Sequence, residues 1–364
     1  MKIIDRYIIK KFLGTLSFML ILLSIIVVVI DVQSKSPRIE SNGFKVSDFL
    51  IQFYPFWTIY LVITFMSILV FISVIYFTSR LANNTEIVAI ISSGASFHRF
   101  ARPYLITSVG IALFALAVNH FVLPWANIQK NKLEPYTMSD KKREEVQGNT
   151  EIATRITPTK FIFINNYNRK EQRGSGFLYQ EFNQKRKLVY QLSANEISWD
   201  KAKKKFQVNN YLERRAAKND SEILGHGDSK EVSYGHPPEE LFPDELSAQT
   251  KTTPELLKFI NQEKIKGNSN LNLYLNELYQ RTSMPVSIII LTFLALSLSS
   301  AKRRGGLGMN LAIGIALAFI FVFSFEALKV VSENKTLPPM LAMWLPNIVF
   351  APVALVLYLK RANQ

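Results

Sequence analysis

Three groups of charged residues in this sequence have types and positions that suit binding at a membrane. Arg281 stands just before an apolar run, where its guanidinium can reach lipid headgroups or bind an anionic lipid phosphate. Asp31 and Lys35 follow another apolar run four residues apart, which predicts either an ion pair or a contact with headgroups. Glu86 begins a short amphipathic stretch between two further runs. No Ser/His/Asp or paired-carboxylate arrangement accompanies them at a matching membrane depth, so these positions indicate binding and not catalysis.

Several classes of enzyme are excluded by what the 364 residues lack. The absence of cysteine rules out disulfides, thiol catalysis, thiolate zinc sites and iron–sulfur clusters. No phosphate loop of the GxxxxGKS or GxxxxGKT form is present, so ATP hydrolysis requires another subunit. His226 and His236 lie near Asp228 in a polar stretch, which suits a metal site or, as we favour, a solvated loop. We therefore expect no catalytic residue, no metal and no cofactor.

Residues 84–94 predict a short amphipathic helix on the cytoplasmic side of the membrane. Asn84 or Thr85 can cap its start, Glu86 falls in the first turn, and Gly94 ends it. Its apolar face consists of Ile87, Ile90 and Ile91. Two interpretations stay open, a helix lying in the membrane interface and a docking element for a cytoplasmic partner. The exposed acid beside apolar anchors favours the second.

Long apolar segments must position these residues. Hydrophobic residues make up 48% of the chain and charged residues 20%, and the two types are segregated into separate stretches. A helix needs about 20 apolar residues to cross the hydrocarbon core. Six stretches qualify: residues 12–30, 49–79, 103–124, 284–300, 307–331 and 338–359, the fourth extended by 271–283. The sequence predicts a membrane α-helical bundle of six transmembrane helices, three within residues 1–124 and three within 271–364.

The distribution of Lys and Arg sets the orientation that we expect for these spans. With the N-terminus inside, the short inner loops carry 12 basic residues in 46 positions, whereas the short outer loops carry 5 in 28. Lys302, Arg303 and Arg304 between the fourth and fifth spans are a strong cytoplasmic anchor. Both termini are then cytoplasmic, and the segment between the third and fourth spans lies in the periplasm of a cell with two membranes.

Residues 125–270 predict an all-β domain inserted into the helical bundle. Stretches rich in β-branched and aromatic residues alternate with turn signals and predict strands at 151–166, 176–182, 187–199, 205–213 and 231–234. About 100 residues of short strands suit a jelly roll or a sandwich. Its interior is expected to include the alternating residues Phe161, Phe163, Leu188 and Tyr190, either as a binding surface or as ordinary core packing.

A helix is expected after these strands, at residues 253–266, with Thr253 as its N-cap. The segment between the third and fourth spans has only a mildly positive charge and no helix-turn-helix, RNP or zinc pattern. We therefore expect no nucleic acid as a partner.

Four sequence motifs, together with three spans, a β insertion and three more spans, carry a resemblance to a known family. The motifs are the stretches at residues 5–12, 85–94, 303–306 and 337–347, which read DRYIIKKF, TEIVAIISSG, RRGG and, in the last, LPP followed by WLPN. In these features the chain resembles the LptF/LptG permease subunits of the lipopolysaccharide exporter, which are the transmembrane proteins of an ABC transporter.

This resemblance implies a bacterial inner-membrane permease that pairs with a second LptF/LptG-type permease above an LptB-type ATPase dimer. Lipopolysaccharide would enter laterally through a gate formed by spans one and five, and the β-jellyroll would pass it to an LptC-type periplasmic bridge. The helix with Glu86, Ile87, Ile90 and Gly94 would be the coupling helix, flanked by Arg80. Lys35 and Arg38 would meet the lipid A phosphates.

Two other functions stay open at this stage. A membrane-anchored sensor or assembly scaffold with a ligand-binding β domain would also have an exported domain, but its cytoplasmic pieces of at most 24 residues are too small for signalling. A permease for a different lipid or a lipoprotein would share every feature described so far. The sequence does not decide between an F-type and a G-type subunit.

Overall fold

The computed structural model describes residues 3–138, 149–216, 222–243, 245–267, 271–301 and 306–363. Within them, a bundle of long helices carries a β domain inserted between its third and fourth spans. The basic cluster Lys302–Arg304, predicted as a cytoplasmic anchor, lies outside the described residues, as does Gly305 of the same motif. The predicted fold class, a helical bundle with an inserted β domain, is confirmed.

Eleven α-helices are present in the described residues. Those before the β domain are α1 (Ile3–Ser41), α2 (Val46–Gln52), α3 (Tyr54–Asn83), α4 (Glu86–Ser92), α5 (Phe97–Ala117) and α6 (Leu123–Leu133). Those after it are α7 (Pro238–Leu241), α8 (Thr253–Lys266), α9 (Leu271–Ser299), α10 (Gly306–Glu333) and α11 (Pro339–Ala362). A π-helix (Val118–Val122) makes α5 and α6 continuous, and the 3-10 turns Glu134–Thr137 and Glu245–Ala248 complete the helical elements.

Six of these elements are long and apolar enough to cross a membrane: α1, α3, α5 with its continuation to Thr137, α9, α10 and α11. The predicted number of spans is therefore confirmed, but several helices are longer than their apolar runs. The third extends over 41 residues, or about 60 Å at 1.5 Å per residue, twice the hydrocarbon thickness. Such a helix continues beyond the membrane and reaches the β domain.

The spans differ in how much of them the protein itself buries. In the most apolar window of each span, 56% of α3 and 61% of α9 is buried, against 6% of α1 and 22% of α10. Helices α3 and α9 touch through the Ser67 hydroxyl, which donates to the Met284 carbonyl and accepts from Ser287. Small polar residues allow such close contact in a bilayer, where apolar burial alone does not favour protein over lipid. The α3–α9 pair is the centre of the bundle.

The bundle has two ends, which we name by what they carry. At the α4 end, the start of α1 meets α4 and α5, and the end of α11 meets α5 through a hydrogen bond of 2.8 Å between Tyr358 and His98. At the β-domain end, α6 and α9 contact the segment that returns from the β domain.

Six antiparallel strands form the β domain: β1 (Asn149–Thr157), β2 (Lys160–Asn168), β3 (Arg173–Phe182), β4 (Leu188–Asp200), β5 (Lys205–Ala216) and β6 (Glu222–Val232). The all-β prediction is confirmed. In the described residues the strands form one sheet in sequence order, which differs from the two packed sheets of a sandwich. The predicted strand 151–166 is in fact the β1–β2 hairpin, because Pro158, which lacks an N–H, lies in its turn. The predicted strand 231–234 corresponds only to the end of β6.

A row of polar residues interrupts the side-chain alternation across the sheet. This row, in which a glycine accompanies four polar residues, lies between the paired positions of five successive strands and consists of Asn165, Gly176, Asn195, Asn210 and Asp228. Gly176 and Asn210 have left-handed φ values of 68° and 50°, a conformation that glycine and asparagine adopt most readily. On β2 the buried positions before and after the row, Ile164 and Tyr167, are three residues apart instead of two. The row therefore changes which residues of each strand face the core.

Gly314 on α10 permits the close contact of α10 with α3, which generates a prediction. A Cβ atom at this position would overlap Cδ1 of the buried Ile75. We expect Gly314→Leu to lower the thermal midpoint of the detergent-purified protein, because overpacking costs about 1–3 kcal/mol. Gly110→Leu is the matched control, since Gly110 on α5 has no neighbour within 4 Å. Equal midpoints for both variants would contradict this packing.

Candidate functional site

Helix α4 packs its apolar face against the protein's own bundle. Ile87 is buried in the bundle core, and Ile90 and Ile91 are half-buried against the same core. Val88 points the other way and is 56% exposed. The helix therefore presents a small exposed side, while the isoleucines predicted as contacts hold it in place.

The two ends of α4 differ from each other in how well the sequence predicted them. Gly94 follows the helix with a φ of 90°, the left-handed conformation that commonly terminates helices. Thr85 occupies the N-cap position, as one of the two predicted alternatives, but its side chain makes no capping hydrogen bond. The Thr85 hydroxyl donates to the Asn84 carbonyl at 2.6 Å, and the Asn84 amide donates to Glu86 Oε1 at 3.1 Å. Asn84 thus orients the Glu86 carboxylate.

The beginning of α1 is bonded to α4 and α5. The Tyr7 hydroxyl donates to Glu86 Oε2 at 3.0 Å. Two nitrogens of Arg99, in the first turn of α5, donate to the two oxygens of Asp5 at 2.7 and 2.8 Å. Arg80 lies exposed in the last turn of α3. Sequence reasoning missed these partners of Asp5 and Tyr7 because they lie 94 and 79 residues away along the chain.

A cleft of about 460 Å³ opens beside these bonds at the α4 end. Asp5 and Arg99 line one part of it, and Ile90 and Gly94 line another. Its walls combine an ion pair with apolar and small residues. Such a surface suits a protein partner that carries both apolar and polar groups.

The last turns of α1, at the β-domain end of the bundle, contain the ion pair that the sequence left open as one alternative. Lys35 Nζ lies 2.8 Å from Asp31, and the Tyr54 hydroxyl donates to the same carboxylate at 3.0 Å. The Lys35 ammonium also lies 5.6 Å from the centre of the Trp57 ring. Arg38, one turn further, is exposed. A phosphate at this end would meet Arg38 first, because Lys35 already has a carboxylate partner.

Arg281 does not face lipid, and the prediction that it meets headgroups is wrong. Arg281 is only 2% exposed, and its Nε donates to Glu277 at 3.0 Å. The other nitrogens donate to the Thr253 hydroxyl and to the Ala248 carbonyl, both at 3.1 Å. Instead of extending to the membrane surface, the guanidinium fixes the segment that returns from the β domain.

Two residues of the third span also form hydrogen bonds with the segment that returns from the β domain. His120, in the π-helix, shares a 2.6 Å hydrogen bond with the Thr253 hydroxyl, and the Asn127 amide donates to the Gln249 carbonyl at 3.1 Å. Helix α8 begins at Thr253, so its N-cap is Thr252 and not the predicted Thr253. Thr252 forms a capping box with Glu255, the acid three residues later. We call this set of contacts around residues 248–253 the junction clamp.

The expectation that Phe161 and Phe163 face the core of the β domain is wrong. Ile162 and Ile164 are buried, whereas Phe163 is 37% exposed and Phe161 is half-buried. Both phenylalanines line an open cleft of about 520 Å³ that Lys266 of α8 also borders.

Tyr190 packs against the core of the β domain and borders a charged pair. Its hydroxyl donates to Glu213 at 3.0 Å, and Lys230 Nζ lies 2.5 Å from the same carboxylate. The hydrogen bond from Lys230, together with that from Tyr190, lowers the pKa of Glu213 below its usual value. Burial and the bond to Glu213 raise the pKa of Tyr190. The residue therefore stays a neutral hydrogen-bond donor at physiological pH.

The histidines do not assemble a metal site in the part of the chain that the structure describes, where no three His, Asp or Glu side chains come together around a candidate ion. His236 instead lies 3.0 Å from Glu240, four residues later.

Comparison with known proteins identifies a family. The family model described as lipopolysaccharide export system permease LptF/LptG matches residues 6–360, almost the whole chain. A search of curated proteins finds no match.

The side-chain directions of β2 give a prediction for the β domain. We expect Ile164→Ala to cost about 3 kcal/mol of domain stability, because it leaves a cavity in the core. Phe163→Ala, the neighbouring control, should cost less than about 1 kcal/mol, because Phe163 is partly exposed. Protease resistance of the β domain in increasing urea, measured on the full protein, compares the two. A larger loss for Phe163→Ala would contradict the assigned faces.

A further prediction concerns the junction clamp. We expect Arg281→Met to destabilise the detergent-purified protein by about 3 kcal/mol, because the Glu277 carboxylate and two acceptors lose their donor. The double variant Arg281→Met/Glu277→Met should regain part of this loss, since it leaves no unpaired charge. Arg38→Met serves as the exposed control. Thermal unfolding measures all three, and an unchanged midpoint for Arg281→Met would exclude the clamp.

Proposed function

The chain belongs to the LptF/LptG family of lipopolysaccharide export permeases, and on that basis we propose that it forms one of two permease subunits of an exporter that moves lipopolysaccharide toward the outer membrane. The observation that carries this proposal is the family match over residues 6–360. The order of three spans, a β domain and three spans agrees with it. A member of this family with six apolar helices is a multi-pass protein of the bacterial inner membrane.

The proposed orientation puts the α4 end in the cytoplasm and the β domain in the periplasm. In support, the start of α1 and the end of α11 lie near the α4 end, and the inner loops of this arrangement carry the higher density of Lys and Arg. The β domain then faces the compartment that lipopolysaccharide must cross.

The motor in this proposal is a separate LptB-type ATPase dimer that docks at α4. The exposed side of α4 and the cleft beside it offer a surface for this subunit, with Arg80 at its edge. Glu86 would make the polar contact, Ile87 and Ile90 would hold the helix on the bundle, and Gly94 would end it. The exposed residues of α4 would thus contact the ATPase, and its buried residues would attach the helix to the bundle.

A second LptF/LptG-type permease would pack on the helices that this chain leaves most open. Among the six spans in the described residues, α1 and α10 are the least buried, which supports a lateral gate at these two helices. Arg38 would contact the lipid A phosphates at the outer end of α1. Lys35 would contact them as well, once it has released its ion-pair partner Asp31. The acyl chains would enter between the gate helices.

The β domain would receive the lipid and pass it to an LptC-type bridge protein. Tyr190 packs against the core of the β domain, and its hydroxyl, which donates to Glu213, can accept a hydrogen bond from a polar part of the lipid. Strand β6 is at the edge of the sheet, and Ile223 and Leu224 on it are exposed. An edge strand with exposed apolar residues suits the addition of a strand from another protein.

Purification of the tagged protein in mild detergent tests the proposal. Mass spectrometry of protein and lipid should find a stoichiometric ATPase, a second six-span permease and bound lipopolysaccharide. A protein that elutes without an ATPase and without lipid would refute the proposal and favour a membrane-anchored sensor or scaffold. A different bound lipid would support a permease function but show that its substrate is not lipopolysaccharide.

The phosphate contact has its own prediction. Because it reverses charge where a phosphate would bind, Arg38→Glu should reduce the lipopolysaccharide that co-purifies by about tenfold. Lys45→Glu makes the same change at an exposed position shortly after the end of α1 and should retain the lipid. Equal lipid content in the two variants would remove Arg38 from the binding site.

A further inference from the structure

Helix α1 is held by the rest of the protein at its two ends, with less burial between them. Toward its last turns Ile39 is buried and the Tyr54 hydroxyl donates to Asp31. Asp5, Ile8, Phe12 and Leu16 are buried at helical spacing, and then no residue of α1 is buried until Ile39. The intervening 22 residues correspond to about 33 Å of helix. Side chains such as Phe18 and Val29 in this stretch are largely exposed. The helix therefore has a fixed base at the α4 end, a second attachment at the β-domain end, and a long middle part with little burial.

The base of α1 is fixed by directional bonds as well as by packing. Arg99 and Asp5 form a bidentate ion pair at 2.7 and 2.8 Å, and Asp5 is 9% exposed. Two parallel hydrogen bonds between planar groups fix orientation as well as distance. A second bond joins Tyr7 to Glu86 at 3.0 Å. The start of α1 and the two residues that bond it, Arg99 and Glu86, can therefore change direction only together.

Both partners of α1 belong to one short segment. Glu86 is the first residue of α4, and Arg99 lies in the first turn of α5, where the Ser96 hydroxyl accepts from its backbone N–H at 3.2 Å. Only residues 93–96 separate α4 from α5. A displacement of α4 therefore reaches Tyr7 directly and reaches Asp5 through the start of α5.

We propose that Asp5 and Arg99, together with Tyr7 and Glu86, form a joint that converts motion of α4 into a change in the tilt of α1. This inference rests on the proposed function, in which an ATPase acts on α4 and α1 lines the lipid gate. A displacement of the base tilts α1 about its attachment at the β-domain end and moves the sparsely buried middle part of the helix. Asp5 and Arg99 are thus positioning residues for transport, and they need not touch the lipid.

The joint also explains how an ATPase that engages Glu86 would act on α1. Glu86 Oε2 accepts from Tyr7, while Oε1 accepts from Asn84. A cationic group of the ATPase that approaches this carboxylate competes with Tyr7 for it, so docking itself alters the contact between α4 and α1. The Asp5–Arg99 pair keeps α1 attached while that contact changes.

The test uses the complete transporter, with both permeases, the ATPase and the bridge protein, reconstituted in lipid nanodiscs. Two quantities are measured: lipopolysaccharide released per ATP hydrolysed, and the distance between spin labels at Ile25→Cys on α1 and Phe323→Cys on α10. The chain has no cysteine, so both labels go onto this subunit without further changes to it. The proposal expects the label distance to change on ATP binding in the wild-type background.

Asp5→Asn and Arg99→Ala should abolish that distance change and reduce lipid released per ATP by about tenfold, while ATP hydrolysis continues. Arg102→Ala, at an exposed position one turn further along α5, is the matched control and should behave as wild type. The charge exchange Asp5→Arg/Arg99→Asp should restore most of the coupling. This double variant also separates a broken joint from a misfolded protein.

The outcomes are distinct from those that test the proposed function. If the wild-type complex carries no ATPase or releases no lipopolysaccharide, the proposed function fails. If the wild type transports and Arg99→Ala retains both the ATP-dependent distance change and the release per ATP, the joint is overturned. A fall in ATP hydrolysis and release by the same factor overturns it as well, because that result indicates a purely structural pair.

Discussion

The guanidinium of Arg281 is buried where the helical bundle meets the β domain, and the connection between the two parts depends on it. From the central helix α9 it reaches Glu277, the Thr253 hydroxyl and the Ala248 carbonyl. A buried charge is tolerated only when its hydrogen-bonding groups are satisfied, so these partners are as constrained as the arginine. The segment that returns from the β domain therefore has a defined path into span four. The direction of the sheet relative to the bundle depends on that path.

Around this connection, the helices divide into a fixed centre and an open periphery. Helices α3 and α9 bury more than half of their apolar windows, and serine hydroxyls bond them to each other. Helices α1 and α10 bury far less of theirs. A permease must open a path for a lipid without losing its fold, and this division meets both requirements. The polar contacts of α9 hold the centre of the bundle together, whereas those of α1 lie toward its two ends and leave a mostly apolar length between them.

Local signals in the sequence predicted the elements but not the contacts between them. Uncharged runs of about 20 residues identified all six spans because few other structures permit such runs. The phase of β2 could not be read in the same way, because Phe161 to Ile164 are all apolar and either alternate set suits a core. The N-cap of α8 was recoverable from the spacing of Thr252 and Glu255. The burial of Arg281 and the pairing of Asp5 with Arg99 depend on packing between distant segments, and no local pattern contains them.

The bilayer explains why both connections at the ends of the bundle use charge. Between apolar helices in a membrane, lipid chains replace protein contacts at little cost, so apolar packing alone resists neither rotation nor separation. An ion pair with two hydrogen bonds has a defined geometry that lipid cannot reproduce. Such a pair at the base of α1 can move the helix, and the junction clamp can hold the β domain steady at the other end. Transmission of force across the membrane therefore requires polar bonds at the ends of the spans, leaving the apolar lengths between them free to slide against lipid.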